Sequence, residues 1–229
     1  RDEDLRADRQ PEHTQIDMEM SFVTINDIHE VVEGLMKELF ATAGETIQTP
    51  FPKLPYKDAM DKYGSDKPDL RYDLQMQNVS EVFKNTGFKV FADVLANGGE
   101  VRSLVAAGGA GMSRGQIDKL TELAKKNGAK GLVWLKYKDG KLESPSAKFF
   151  TPAELDALIA KSGAQEGDLI LLGSDKFSTV CTFMGALRKE LVKNLTPKCK
   201  WAFAWITDFP LLEYIPEEDR WDAAHNPFT

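Results

Sequence analysis

The sequence is poor in the residues that build zinc sites and disulfide frameworks. Its 229 residues include two cysteines, Cys181 and Cys199, and three histidines. The cysteines are far from Cys-x-x-Cys spacing, so neither a structural zinc site nor a disulfide scaffold is indicated. We predict that both cysteines are reduced and mostly buried.

Long hydrophobic runs are also missing. No stretch approaches the roughly 20 apolar residues that a membrane-spanning helix needs, and we expect no secretory signal segment. The sequence therefore predicts no membrane partner and a cytoplasmic location.

Positive charge is scarce overall. The net charge is −7 and the isoelectric point is about 5.1, which argues against a protein that holds nucleic acid by bulk charge alone. A local basic strip could still bind one, although a solvated helix and strand face explains the same pattern. The candidate lysines are Lys119, Lys125, Lys126, Lys130, Lys136, Lys138 and Lys141.

Residues 15–22 alternate strictly between polar and apolar. Ile16, Met18, Met20 and Phe22 share one face, and residues 15, 17, 19 and 21 share the other. This period of two is typical of a half-buried strand. Because a row of amide and carboxyl groups is costly to bury, the polar face should be wet or should bind a polar ligand.

Other segments carry capping and turn residues that predict local structure. Asn26 is placed to cap a helix that Gly44 ends, and Ser113 with Gln116 forms a capping box. The glycine-rich residues 107–111 fit neither a P-loop nor a dinucleotide motif and predict a loop with close backbone approach. Further helices are predicted at 58–63, 151–162 and 182–195, strands at 131–137, 168–173 and 201–207, and a hairpin turn at 139–140.

Four segments carry a family resemblance. The run RDEDLRADRQPEHTQIDMEMSF at residues 1–22 resembles motif 2 of class II aminoacyl-tRNA synthetases of the bacterial aspartyl type. Residues 63–71, 128–132 and 225–229 resemble later segments of that family, in the same order. The resemblance covers essentially the whole chain.

The resemblance implies an α+β fold. It would comprise part of the antiparallel β-sheet platform of class II synthetases with an inserted α+β domain, the GAD domain. The implied division assigns residues 1–74 to the motif 2 part of the catalytic core, 75–198 to the insertion and 199–229 to the returning core.

The resemblance also implies roles for single residues. Arg1 would be catalytic and would bind both the α-phosphate of ATP and the reacting carboxylate, which its planar charged fork suits. Glu3 would accept a hydrogen bond from the adenine amino group, and Gln10 would contact ATP. Asp17 would pair with the α-amino group of aspartate, with Gln15 beside it.

Two positions depart from the family pattern. In the family, an aromatic residue, usually phenylalanine, stacks on adenine at the position of His13. The imidazole ring is also flat and can stack, although a histidine in a loop is more often simply solvated. His225 matches the first histidine of the HHPFT segment, which contacts the aspartate substrate, and Asn226 stands in place of the second. A partly cationic histidine would favour a carboxylate.

The implied parent is an aspartate–tRNA ligase that uses ATP and Mg²⁺, acts on tRNA(Asp) and is a homodimer. By comparison with the family, the chain begins within motif 2 and ends before motif 3, so we expect an inactive fragment with the metal ligands mainly elsewhere. The alternative is a non-catalytic GAD-type module that binds tRNA or a partner protein. Whether tRNA(Asn) is also charged is open.

Overall fold

The computed structural model describes residues 12–215 and 218–224. The chain divides into two compact units at the boundary between residues 51 and 52. Within the described residues, no helix has the length and apolar character to cross a membrane.

The first unit is built around helix α1, Ile25–Thr42. The Thr24 amide and hydroxyl both donate to Asp27 Oδ2, at 2.6 and 2.7 Å, so the predicted cap at Asn26 is wrong by two residues. The predicted stop is confirmed: Gly44 has a φ of +75°, a left-handed conformation that glycine adopts readily.

The strand predicted at residues 15–22 is wrong in this structure. Residues 13–20 have no regular hydrogen-bonded structure, and the apolar side chains are open to solvent, with Ile16 67 % and Phe22 107 % exposed. Alternation decides which face a strand would bury, but a strand also needs a neighbour to accept its backbone hydrogen bonds. The described residues offer no such neighbour along residues 13–22.

The second unit contains a small parallel pair formed by distant segments. Strand β1, Lys53–Pro55, pairs in parallel with β7, Trp205–Thr207. Helix α2, Tyr56–Tyr63, follows β1 directly and ends at Gly64, close to the predicted helix at 58–63. After β7, strands β8, Leu212–Ile215, and β9, Arg220–Ala223, form an antiparallel hairpin.

The five-stranded sheet of this unit is formed by Gln77–Asn78 (β2), Glu100–Ala106 (β3), Val133–Lys138 (β4), Lys141–Glu143 (β5) and Leu169–Asp175 (β6). It is antiparallel throughout, in the order β2-β3-β6-β4-β5. The central strand, β6, was predicted as a buried strand, and its apolar residues 169–172 are fully buried. The predicted turn at Asp139–Gly140 joins β4 to β5, and both residues have positive φ, as a two-residue hairpin turn requires.

Four further helices bound two hydrophobic clusters, one on each face of the sheet. Helices α4, Arg114–Lys126, and α6, Phe177–Leu191, supply Ile117 and Leu187 to one cluster. Helices α3, Lys89–Ala96, and α5, Pro152–Ser162, supply Phe91 and Leu158 to the other. A central sheet with an apolar cluster on each side gives this unit a layered core.

Two predicted helix starts in this unit are confirmed. Ser113 accepts from the Gln116 amide and Thr151 from the Glu154 amide, each at 3.3 Å. Helix α6 instead begins at Phe177, five residues before its predicted start at 182. The predicted α+β class is confirmed, whereas the division at residues 74 and 198 stays a prediction.

Two predictions about small residues had different outcomes. A Cβ on Gly109 would lie 2.9 Å from the Leu169 Cβ, which confirms the close approach predicted for the glycine-rich loop. Cys181 is buried as predicted, but Cys199 is exposed. The prediction for Cys199 is wrong because this residue lies in an irregular exposed segment after α6, outside both apolar clusters.

Candidate functional site

Three of the predicted ligand-binding residues lie in the described part of the first unit. His13, Gln15 and Asp17 occupy the segment before α1, and all three are exposed. Gln15 and Asp17 are therefore accessible to a ligand, as their predicted roles require. The exposure of His13 likewise leaves its imidazole accessible, and its stacking on adenine stays a prediction.

The other predicted site residues lie outside the described residues. These are Arg1, Glu3, Gln10 and His225. Their assignments rest on the sequence alone and stay predictions.

In the second unit, the parallel pair places aromatic and acidic residues at one edge. The carboxyl ends of parallel strands meet on the same side, so Tyr56 after β1 and Asp208 after β7 come together there. The Tyr56 ring packs on Phe209 with centroids 5.0 Å apart. Asp208 has a φ of +57° and accepts a 2.8 Å hydrogen bond from the Thr207 hydroxyl.

Electrostatics at this edge disfavour additional negative charge. Partial burial, followed by the charges of Asp66 and Glu213, raises the pKa of Tyr56 above its ordinary value. Tyr56 therefore stays a neutral hydrogen-bonding group at physiological pH. A positive φ at a non-glycine residue such as Asp208 costs free energy and is found more often at functional positions.

A buried arginine joins α2 to the sheet. Arg102 on β3 is 1 % exposed, and its guanidinium donates to Asp61 Oδ1 at 2.6 Å and to Glu100 Oε2 at 2.7 Å. It also donates to the Asp61 carbonyl at 2.7 Å. Burial alone would lower the pKa of Arg102, but the hydrogen bonds to Asp61 and Glu100 and the charge of Asp61 raise it above its ordinary value.

A second buried arginine holds the backbone where the chain enters the sheet. Arg188 on α6 is 4 % exposed and donates to the carbonyls of Leu74 at 2.6 Å, Asp69 at 2.7 Å and Tyr72 at 3.2 Å. Its guanidinium also lies over the Tyr63 ring, 4.8 Å from the centroid. Burial lowers its pKa, yet an arginine stays charged at any physiological pH.

Two further contacts join residues 69–74 to the segment that follows α6. The Lys198 amide donates to the Arg71 carbonyl at 2.9 Å, and Lys198 forms an ion pair with Asp73. Residues 69–74 are therefore bound both by α6 and by the segment that follows it. Residues 64–74 contain most of the second segment that carries the family resemblance.

Sequence reasoning missed both arginines as structural residues. Arg188 lies one residue from Leu187 and four from Met184 on the buried side of α6. The helical spacing of these apolar residues therefore indicates that position 188 is buried. Its partners are more than 110 positions away in the sequence. No local pattern identifies such partners.

Comparison with models of protein families identifies the family of this chain. The model of the class II tRNA synthetases (D, K and N) matches residues 1–229. The chain belongs to this family.

Individual relatives of this synthetase chain carry more specific names. An aspartate–tRNA(Asp/Asn) ligase of Elusimicrobium minutum is 56 % identical over 100 % of the chain, which covers 40 % of that protein. One from Syntrophomonas wolfei is 52 % identical over 100 % of the chain, which covers 40 % of that protein. An aspartate–tRNA ligase of Clostridium perfringens is 51 % identical over 100 % of the chain, which covers 39 % of that protein. The chain thus spans about 40 % of the length of these relatives.

The family also raises the question of a magnesium site. Mg²⁺ prefers carboxylate oxygens together with water and substrate phosphates. Within residues 12–215 and 218–224, no three histidine, cysteine, aspartate or glutamate side chains are grouped so that they could hold a metal ion. We assign none of the described residues to the metal.

Proposed function

We propose that this chain is part of an aspartate–tRNA ligase that forms aspartyl-adenylate from aspartate and ATP and passes the aspartyl group to tRNA. The observation that carries this proposal is the 56 % identity to an aspartate–tRNA(Asp/Asn) ligase over the whole chain. Because the chain spans about 40 % of that relative, the activity is proposed for a protein of the relatives' length. That protein would be a cytoplasmic homodimer.

The first step would require a carboxylate to attack phosphorus in line with the leaving pyrophosphate. The aspartate α-carboxylate would bond to the α-phosphorus of ATP as the bond to the β-phosphate oxygen breaks. Two anions must be held close together, so positioning and charge neutralisation supply most of the catalysis. Arg1 would donate to both reactants at once, while Glu3, Gln10 and His13 would hold the nucleotide.

The amino acid would be held from two sides. Asp17 is an exposed carboxylate that would pair with the substrate's α-ammonium group, with the Gln15 amide beside it. His225 would contact the side-chain carboxylate. In the second step a ribose hydroxyl of tRNA would attack the acyl carbon and release AMP. Any Mg²⁺ used in the reaction would be bound mainly by residues outside this chain.

An aminoacylation assay tests this proposal directly. A protein of the relatives' length that contains this sequence should attach labelled aspartate to purified tRNA(Asp) in the presence of ATP and Mg²⁺. The same assay with tRNA(Asn) separates the two specificities that the relatives' names distinguish. Failure to charge either tRNA, by a protein that is folded, would contradict the proposal.

The alternative function is a non-catalytic GAD-type module at residues 75–198. It is favoured by the two-sided core of the five-stranded sheet, but cutting at residue 75 would remove Asp61 from Arg102 and all three carbonyls from Arg188. Unpaired buried charge is strongly destabilising, so the module should include α2 and residues 64–74. Circular dichroism and tRNA binding of segments 52–200 and 75–198 would test this: equal stability of the two would contradict the role of the arginines.

A further inference from the structure

The second unit contains a cavity of about 340 Å³ between α4 and α6. The two helices run antiparallel, since a Cβ on Gly128, just after α4, would lie 3.5 Å from Thr179 Cγ2 near the start of α6. Gln116 near the start of α4 and Asn194 just after α6 both line the cavity. A volume of this size falls in the range of small-molecule sites, and none of the lining residues has a role in the proposed ligase function.

The inner wall of the cavity is aliphatic. Leu120 of α4 and Leu191 of α6 line it and are 7 % and 6 % exposed. Met112 and Leu123 line it as well and belong to the same hydrophobic cluster. These four side chains offer a flexible apolar surface without an aromatic ring, so burial against them favours an alkyl chain over a flat heterocycle.

The mouth of the cavity carries hydrogen-bond donors. Gln116, Lys119 and Asn194 line it and are exposed. Gln116 Oε1 already accepts from the Ser113 amide at 2.8 Å, so the side-chain nitrogen of Gln116 is the group left for a ligand. An ammonium group and two side-chain amides beside an aliphatic wall suit a ligand with an anionic head and an alkyl body.

Lys119 is the uncompensated charge at this mouth. The acidic side chain of the lining, Glu190, is paired with Lys193 at 2.6 Å, whereas Lys119 forms no ion pair within residues 12–215 and 218–224. An ammonium group in this position attracts an anion. The two acids of α4 already have partners, in the pairs Arg114–Asp118 at 2.9 Å and Lys125–Glu122 at 3.0 Å.

Two further sets of charges around the cavity offset each other. Lys136 of β4 donates to the Met112 carbonyl at 2.6 Å and is paired in register with Glu143 of β5. The start of α4 carries a positive partial charge and the end of α6 a negative one, so the two helix ends also balance. Selectivity for an anion therefore depends on Lys119.

We propose that this cavity binds an aliphatic carboxylate of medium chain length, with its head at Lys119 and its chain against Leu120 and Leu191. A peptide C-terminus carries the same head group, but proteins commonly capture it with clustered backbone amides. Here the backbone amide of Gln116 already donates to the Ser113 hydroxyl at 3.3 Å, and that of Ser113 to the Gln116 side chain. The free acid is the ligand that the remaining side-chain donors favour.

Isothermal titration calorimetry of the 229-residue chain with octanoate tests the inference. Octanoate should bind at one site with a Kd on the order of 1 mM, as expected for a ligand of about ten non-hydrogen atoms. Octylamine has the opposite charge and acetate lacks the chain, so each should bind about tenfold more weakly or less. Because neither ATP nor tRNA is present, the result is independent of aminoacylation.

Lys119→Met should lower the affinity for octanoate about tenfold, because methionine keeps the apolar contact and loses the charge. Lys119 is exposed, so the variant should fold normally, which circular dichroism checks. The matched control is Lys189→Met, the same change at an exposed lysine of α6 outside the lining. It should alter the affinity by less than about twofold.

The inference is overturned if octanoate does not bind, if octylamine binds as tightly, or if the two lysine variants lose equal affinity. It is also overturned if the peptide acetyl-Gly-Gly-Leu displaces octanoate more effectively than decanoate does. That result would assign the cavity to the C-terminus of a partner protein.

Discussion

Gly64 and Gly185 lie backbone to backbone where the end of α2 crosses α6. A Cβ placed on Gly185 would lie 2.3 Å from the Gly64 carbonyl oxygen, and one on Gly64 would lie 2.3 Å from the Cys181 carbonyl oxygen. Gly64 also has a φ of +66°, a left-handed conformation that disfavours side chains with a Cβ. The two glycines therefore allow the close approach that brings residues 69–74 to Arg188.

Gly185→Ala should be strongly destabilising. The added methyl group meets backbone atoms that cannot rotate away, so we expect a loss of about 2–4 kcal/mol in the free energy of unfolding. Urea denaturation of the 229-residue chain measures this. The matched control is Gly115→Ala in α4, where a Cβ has nothing within 4 Å and should be neutral or stabilise by up to ~1 kcal/mol. Equal effects of the two substitutions would contradict the crossing geometry.

Arg188→Met should also destabilise the second unit. Methionine keeps much of the apolar stem but leaves the carbonyls of Asp69, Tyr72 and Leu74 without their donor, which should cost about 2–4 kcal/mol. Arg114→Met, at an exposed ion pair, should cost less than about 1 kcal/mol. Limited proteolysis should cut residues 64–74 faster in the Arg188 variant alone. If both variants are equally stable, Arg188 does not hold this segment.

The local features of the fold could be predicted from sequence because their physics is local. The Ser113 capping box, the helix start at Thr151 and the Asp139–Gly140 turn each involve at most four consecutive residues, and all three are confirmed. The cap at residue 26 failed because Thr24, with Asp27 three residues later, competes for the same role. Patterns within one turn of helix thus locate helix ends to within a few residues.

The remaining features depend on partners that are distant in sequence. Arg102 reaches Asp61 across 41 positions and Arg188 reaches Asp69 across 119, so their burial follows from tertiary packing. The alternating residues 15–22 failed as a strand for the same reason: the pattern is present, but a pairing strand is not among the described residues. Site residues such as Arg1 were assigned from family motifs, which reflect chemistry and not folding.

Ionisation of Cys181 should make stability depend on pH at the alkaline end. Burial raises the pKa of this thiol from 9.0 to about 11 in the folded chain. The unfolded chain therefore releases the proton first, and stability is lost as the pH rises from about 9 to about 11. Cys181→Ala should remove this contribution, on the order of 2 kcal/mol, from the pH dependence of urea denaturation. Cys199→Ala, at an exposed thiol, should leave the pH dependence unchanged, and equal slopes for all three proteins would contradict the prediction.

Arg1→Ala in a protein of the relatives' length should slow adenylate formation with little effect on folding. Loss of one charge-assisted donor to the developing charge of a transition state costs on the order of 3 kcal/mol, a factor of ~10² or more in rate. Pyrophosphate exchange measures the rate, and Arg6→Ala is a control of the same residue type in the same segment. Near-normal exchange by the Arg1 variant would show that Arg1 has no role in the reaction.

Asp17 and His225 should differ in how they affect the choice of amino acid. Asp17 is proposed to pair with an α-ammonium group that every amino acid carries, so Asp17→Asn should weaken the use of aspartate and asparagine alike. His225 is proposed to contact the side-chain carboxylate, so His225→Ala should penalise aspartate selectively, by about 1–3 kcal/mol for a charge-assisted contact that excludes water. Pyrophosphate exchange with each amino acid, in a protein of the relatives' length, gives the ratio directly. An aspartate-to-asparagine ratio that His225→Ala leaves unchanged would mean that this histidine does not sense the carboxylate, because only a contact made to aspartate alone can alter that ratio.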